Sequence, residues 1–306
     1  MNQVKTSGII SSVAALLILH GCVGHERIVS RHIQFAPAQT GEVKAMTFNI
    51  RVDTFLDGLN RWCERKDMVF DILADHTADV AGLQEALYHQ VQQIQQALPQ
   101  YSNYAVGRTD GKQKGESCAI FYRKDRFVLD DCGTFWFSDT PDVPGSKDWG
   151  NIWPRMCSWV HLVEKRTGAS LYVYNMHLAV FSQNSRKKSM ELLAKRIAAQ
   201  KNASPFIVIG DFNMKLNNPA MKHLHNAGMV DAWQSADSRR PDFATKSLSS
   251  GPKIDHISLS DGVVATEAKV DRRKINGRHP SDHFPVIATI RIPTWEIASA
   301  RTWGQK

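Results

Sequence analysis

The 306-residue chain has no fixed-period repeat, no low-complexity tract and no long linker, so it reads as one large domain rather than two small ones. Cysteine is scarce, five in all, and no spacing among them resembles a zinc site. A chain of this length also has no need of disulfide staples to hold a core. The apolar stretch over residues 8–19 is too short to cross a bilayer as a helix. What remains is an ordinary globular composition, 42% hydrophobic and 22% charged, from which a sizeable core is expected.

The N-terminus carries a targeting pattern. Lys5 supplies positive charge ahead of the uncharged stretch, and Leu19-His20-Gly21-Cys22 resembles a bacterial lipoprotein cleavage box in which His20 is unusual. The organisation expected is a signal peptide over 1–21, a tether over 22–42, one catalytic domain over 43–292 and a tail over 293–306, with Cys22 as the lipidated first residue. An ordinary secretory signal is the alternative. Either way the protein is exported, and acyl chains on Cys22 would hold it on a membrane of the bacterial cell envelope. Cys63, Cys118, Cys132 and Cys157 are then left, expected as buried free thiols or at most one bridge. The formal charge is +8, and losing Lys5 with residues 1–21 leaves +7. That balance suits polyanions such as nucleic acid, inositol phosphates or anionic lipid heads.

Hydrophobic periodicity places the elements. A strand is expected over 43–48, ending at Asn49, then a helix over about 60–75 and a short buried strand over 80–83 leading to Glu85. Leu87, Val91, Ile94 and Leu98 recur at helical spacing up to Pro99. Residues 117–122 and 127–129 read as a hairpin pair around Arg123-Lys124-Asp125, and 159–164 with 171–175 as a second hairpin turned by Arg166-Thr167-Gly168. A helix over 185–200 puts Met190, Leu193, Ala194 and Ile197 on one face, and the apolar run 206–209 suits a strand covered on both sides. A helix near 220–227 and strands over 254–259 and 286–290 follow. Strands with interspersed helices fit two packed sheets flanked by helices.

Six segments end a hydrophobic run in a residue able to hold a metal or a phosphate. They are Phe48-Asn49, Leu83-Gln84-Glu85, Asn175-Met176-His177, Gly210-Asp211-Phe212-Asn213, Ile254-Asp255-His256 and Ser281-Asp282-His283. In this order and spacing they resemble the endonuclease/exonuclease/phosphatase superfamily, the deoxyribonuclease I-like metal-dependent phosphoesterases, over residues 43–292. The stretch 135–159, with Thr140-Pro141-Asp142-Val143-Pro144-Gly145-Ser146 and Pro154-Arg155, is similar to a bacterial branch whose relatives resemble deadenylase-type nucleases. One departure is Ala179, where the family usually has an acidic residue after the His177-Leu178 segment. The resemblance implies an α/β fold, a four-layer α/β sandwich of two packed, mostly antiparallel sheets flanked by helices.

It also implies a site. Glu85 and Asn49, the latter through its amide oxygen, match the metal-binding positions. Mg²⁺, with Mn²⁺ as the alternative, is the expected cofactor, a hard cation that needs only one or two protein carboxylates. Asp282 would reach the metal directly or through water. Asp211 matches the residue that orients and deprotonates the attacking water, and Asn213 the one that holds that water and a phosphate oxygen. In-line attack on phosphorus needs such a base. His177 and His283 match the phosphate-side imidazoles, and Glu116 and Asp255 match their respective carboxylate partners. A charged imidazole there stabilises developing charge and can protonate the leaving oxygen. Taken singly, these residues have plainer readings: a carboxylate at a helix N-terminus for Glu85, a turn for Asp211 and Asn213, a buried histidine bonded to a carbonyl. Their joint presence favours the site. His256 and His279 are read as lying outside it, and a zinc centre on His279 and His283 lacks a third ligand.

Specificity is sought in the loop 138–155, which carries Trp149, Trp153 and Arg155. Indoles stack on bases and a guanidinium clamps phosphate with two donors. Arg108, in Gly107-Arg108-Thr109-Asp110-Gly111, would add a second basic contact. The plainer reading of both tryptophans is as anchors packed on the sandwich. The function expected is Mg²⁺-dependent phosphodiester hydrolysis by a monomer, with nucleic acid the favoured substrate. A phosphatase or phospholipid-type phosphodiesterase at a membrane surface is the alternative. A catalytically silent binding protein is the rival of another class, and it is disfavoured because the whole charged set is present.

Overall fold

A computed structural model describes residues 28–35, 41–201, 203–236, 238–239 and 253–292. The chain runs through β1 (Glu42–Asn49), a 3-10 segment (Phe55–Asn60), α1 (Trp62–His76), β2 (Val80–Ala86), α2 (Tyr88–Ala97), β3 (Tyr101–Tyr104) and β4 (Ser117–Arg123). Next come β5 (Phe127–Trp136), β6 (Met156–Glu164), β7 (Ser170–His177), α3 (Gln183–Ala198) and β8 (Phe206–Asp211). A 3-10 turn (Pro219–Met221), α4 (Lys222–Asn226), β9 (Val230–Asp231), α5 (Ala232–Ser235) and β10 (Ser238–Arg239) precede β11 (Asp255–Leu259), β12 (Val264–Val270) and β13 (Val286–Arg291).

The strands form a seven-stranded sheet, β10-β12-β13-β1-β2-β4-β3, and a six-stranded sheet, β5-β6-β7-β8-β11-β9. Pairing is antiparallel except at β1–β2, β7–β8 and β10–β12. The expected hairpin over 159–175 is present as β6–β7. The one expected over 117–129 is not a hairpin. β4 belongs to the larger sheet and β5 to the smaller, so the turn between them carries the chain across the sandwich. Buried charge fixes that crossing. Arg123 Nη1 and Arg126 Nη1 lie 3.0 and 2.9 Å from the two oxygens of Asp79, and Arg126 Nη2 lies 3.0 Å from Glu164. Periodicity identifies a strand but not its partner, which is why the sequence pattern misassigned the pair.

The layers follow from period-two alternation. Val43 and Ala45 of β1, Leu171 and Val173 of β7, Ile207 and Ile209 of β8 and Ile257 and Leu259 of β11 meet in the core between the sheets. The intervening residues face outward. Met46, Phe48, Ala81 and Leu83 pack under Val69, Phe70 and Leu73 of α1 and Val91 and Ile94 of α2. Tyr172, Tyr174 and Met176 pack under Met190, Leu193 and Ile197 of α3. Helix, sheet, sheet and helix make four layers, as the resemblance implied. Gly82 of β2 lets the sheets approach: a Cβ there would come 2.5 Å from Ile209 Cδ1 and 2.8 Å from Asn175 Cγ.

Cys118, Cys132 and Cys157 carry free thiols. Among the described residues no helix is long and apolar enough to cross a membrane. The signal and lipidation expectations, including Cys22, and the tail over 293–306 lie outside the described residues.

Candidate active site

At one end of the sandwich each inward-facing row changes from apolar to polar. Val43, Ala45 and Thr47 of β1 lead to Asn49, and Leu171, Val173 and Asn175 of β7 lead to His177. Ile207 and Ile209 of β8 lead to Asp211, and β11, running the other way, starts at Asp255 before Ile257. Register sets the lateral order, because Asp211 pairs with His177 on one side and with Asp255 on the other. One layer beneath, Gln84 Nε2 donates to Thr47 Oγ1 (3.0 Å) and to Asn175 Oδ1 (2.7 Å), tying the two sheets together under the mouth. Those amides were quoted in the motifs, but their role as the floor of the site depends on two strands facing each other.

Asp211 is the hub. Its Oδ2 accepts from Asn49 Nδ2 at 3.1 Å and lies 3.5 Å from His177 Nε2 and 3.8 Å from His283 Nε2, while Oδ1 accepts from the Asn213 N–H at 2.9 Å. Burial, reinforced by neighbouring Asp255, pushes its carboxyl up to about 7. For His283, burial alone would lower the basicity of the ring. Asp255, whose Oδ2 is 2.9 Å from Nδ1, and then Asp211 overcome that and raise the imidazole to about 10. The expected pairing of His283 with Asp255 is thus present. Asn213 is held in the left-handed region (φ 49°), with its Nδ2 donating to Leu178 O at 3.0 Å.

The loop after β1 is set by backbone strain and by one buried arginine. Arg51 and Glu85 are both left-handed (φ 61°), and a bulge in β2 between Leu83 and Ala86 turns Glu85 toward the mouth. Such conformations cost about 1–3 kcal/mol each and persist where their surroundings fix them. Glu85 Oε1 accepts from Asn49 Nδ2 (3.0 Å) and Oε2 from Val52 N (2.9 Å). Asn49 Oδ1 accepts the Arg51 N–H at 3.0 Å, and its Nδ2 bridges the carboxylates of Glu85 and Asp211. Arg65 was missed. Fully buried on α1, it donates to Ile50 O, Arg51 O and Asn60 O, and at 3.2 Å to Pro280 O. It therefore clamps the Asn49 loop to the loop carrying Asp282 and His283. Ser281 Oγ adds a bond to Asn49 O (2.7 Å). In sequence Glu64-Arg65-Lys66 looks like a solvated helix face, so no local signal marks it.

Both oxygens of Glu116 accept from Arg108, at 2.8 and 2.5 Å, a partner that the resemblance did not imply. The two-pronged pair lines a small, open cavity shared with His177, Pro154 and Arg155. Arg155 is only 7% exposed and its Nη1 has no hydrogen-bond partner. Burial and then the nearby Arg108 hold its basicity below the usual arginine range, with Glu116, Asp211 and Glu85 opposing. The two tryptophans divide. Trp149 is an anchor, donating from Nε1 to Asp139 at 2.9 Å under the Lys188 ammonium, while Trp153 stands 51% exposed at the rim.

His279 lies outside the catalytic set, against Arg273 O and the Phe284 ring. His256 does so too, but it supports the site. Burial and then Lys253 lower its basicity, with Asp231 opposing. Its Nδ1 lies 3.0 Å from Asp231 Oδ2 and 3.1 Å from Lys253 Nζ, and its Nε2 lies 2.9 Å from Met214 O, which steadies the loop behind Asp211 and Asn213.

Among the described residues, Asp211, Asp255 and His283 bring ligand atoms within 4.8 Å of one another. That trio is already a bonded ion cluster, with His283 Nδ1 engaged by Asp255. Glu85 and Asp282 both act on the Arg51 guanidinium, raising its basicity after burial and Asp57 are counted. As oxygen donors outside the imidazole cluster they fit a hard cation better.

Residues 46–283 match the Endonuclease/Exonuclease/phosphatase family, and the chain belongs to that family of phosphoester hydrolases. Its fold is similar to an endonuclease/exonuclease/phosphatase from Bacteroides vulgatus, at 31% identity and TM-score 0.79 over 82% of this chain and 99% of that one. It is also similar to a mannosyl-6-phosphatase from Bacteroides thetaiotaomicron, at 31% identity and TM-score 0.75 over 81% and 99% of the respective chains. A curated relative, uncharacterised protein L388 of Acanthamoeba polyphaga mimivirus, is 27% identical over 163 residues, 50% of this chain and 59% of that protein. The chain thus matches about three-fifths of that relative's length.

Proposed function

We propose that the protein is a divalent-metal-dependent phosphatase that removes a terminal phosphate from a small ester by in-line attack of water. The observation that carries this reading is Arg155, buried at 7% exposure with a bond-free Nη1 in a pocket that it lines together with His177, Arg108 and Glu116. A buried guanidinium with a free donor suits a terminal, doubly charged phosphoryl group, which offers three unesterified oxygens where a diester offers two. The 31% identity to a mannosyl-6-phosphatase supports it.

In this reading Asp211, as the carboxylate, takes a proton from water held by the Asn213 amide oxygen. His283, kept as imidazolium by Asp255, donates to the phosphoryl or leaving oxygen, and His177 and Arg155 bind the remaining oxygens. Glu85 and Asp282 would hold Mg²⁺ or Mn²⁺, which when bound offsets charge on the phosphate and leaving oxygen.

A nuclease is the second reading, favoured by the exposed Trp153 and the +7 balance left after Lys5 is subtracted from +8. Hydrolysis of a chromogenic phosphate monoester and its diester, each with and without chelator, separates the two. Chelator-sensitive monoester turnover that Asp211→Ala and His283→Ala abolish supports the phosphatase. Diester turnover alone moves the assignment to the nuclease, and full activity in either folded variant overturns both. Export with Cys22 lipidation is proposed from residues 1–22, and failure of the wild type to take up labelled palmitate would sink the anchor.

A further inference from the structure

Among the described residues, the exposed aromatic, leucine and isoleucine side chains all stand at the mouth end of the sandwich. Phe55, Leu56, Leu59 and Tyr88 follow β1 and β2, and Ile152, Trp153 and Phe181 flank β6 and β7. Away from the mouth the exposed large apolar side chains are valines, at 29, 128, 230 and 264. Apolar surface gathered in this way marks a contact.

The second group sits beside Arg155. Ile152, Trp153, Ala179, Val180 and Phe181 line an open depression of about 240 Å³ whose wall includes Arg155, which also walls the His177 cavity. Phe181 is 78% exposed and Trp153 51%. The polar side chains of the depression are already engaged. Ser182 Oγ donates to Trp149 O and accepts from Ser185 N, while Asn151 donates to Phe137 O and accepts from Ser185 Oγ. Ala179, where the family usually has an acidic residue, is buried and offers only a methyl group to the depression. The depression therefore presents ring faces and methyl groups next to the phosphate position.

We propose that this depression is the subsite for the leaving group, and that it selects phosphate esters whose leaving group has a flat ring face over acyclic ones. The proposal rests on the phosphoester reading above. With the phosphate held by Arg155, His177 and His283, the ester substituent passes along Arg155 into the depression, where Trp153 and Phe181 offer stacking area without a hydrogen bond. A nucleoside meets them with the plane of its base and a pyranose with the C–H bonds on one face of its chair.

The test is calorimetric binding of a nucleoside 5′-monophosphate, a hexose 6-phosphate and glycerol 3-phosphate to the full chain, with Ca²⁺ replacing the catalytic metal. At least one ring ester should bind roughly tenfold tighter than glycerol phosphate, and the tighter of the two identifies base or sugar. Trp153→Leu with Phe181→Leu keeps apolar bulk at exposed positions but removes the ring faces, and should bring the ratio close to one. Equal affinities in the wild type, an unchanged ratio in the double variant, or no binding of any ester would each overturn the subsite. Turnover in Mg²⁺ is read separately. Ring preference without turnover refutes the hydrolase and keeps the subsite, and turnover without ring preference does the reverse.

Discussion

Replacing Asp255 with asparagine should move the whole pH–rate profile toward acid. His283 must be protonated to donate, so activity is lost as pH rises through its value of about 10. Asp211 must be ionised to act as base, so activity appears as pH rises through about 7. Asp255 is the largest influence raising the imidazole and, after burial, the largest raising the Asp211 carboxyl. Two charges ~4 Å apart at an effective dielectric of ~20 interact by about 4 kcal/mol, and 1.36 kcal/mol corresponds to one pH unit. Asparagine keeps an oxygen for the His283 Nδ1–H, now 2.9 Å from Asp255 Oδ2, so ring orientation survives while the charge is lost. The alkaline limb should therefore fall by ~2–3 pH units and the acid limb by a smaller amount in the same direction. The assay is kcat/KM against pH with saturating metal, which reports the free enzyme, beside circular dichroism to show the variant folded. The limbs belong to the coupled cluster rather than to single residues. A folded variant with its alkaline limb in place would refute the role given to the Asp255–His283 pair.

Two further outcomes follow from the geometry. Glu85→Gln keeps the acceptor for the Val52 N–H but removes a charge, and should weaken Mg²⁺ binding at least about tenfold by calorimetry, with turnover recovering as metal is raised. If Glu85→Gln binds normally and Asp211→Asn does not, the cation belongs to the Asp211–Asp255–His283 cluster instead. Gly210→Ala would place a Cβ 2.1 Å from Met176 O, against a backbone that cannot step aside. It should cost upward of ~2 kcal/mol and lower the melting midpoint by several degrees. Gly168→Ala, in a turn with nothing within 4 Å, should cost only about 1 kcal/mol. Equal melting points would show that β7 and β8 are less tightly fixed at the site than their register implies.

The strand ends were legible in sequence because alternation and terminal polar residues are local properties. Asn49, His177, Asp211 and Asp255 each continue an inward row that any reader of period two can follow, and the family resemblance orders them. The sequence by itself therefore determined the layered α/β architecture, the mouth and the charged set that fills it. Side-chain partnership was not legible, because it depends on which strands face each other across the sandwich. The turn at Arg123–Phe127 looked like a hairpin until buried charge on Asp79 and Glu164 directed it between sheets. Glu116 matched a histidine partner by position, yet the nearby Arg108 satisfies both of its oxygens. The roles of Arg65, Gln84 and Asn175 became visible only in three dimensions, where a buried guanidinium or amide must spend its donors on carbonyls and amides brought close by the fold. Tertiary structure also separated the two tryptophans, bonding one indole to Asp139 and leaving the other open beside Phe181, because exposure depends on what packs above a residue and not on its neighbours in sequence.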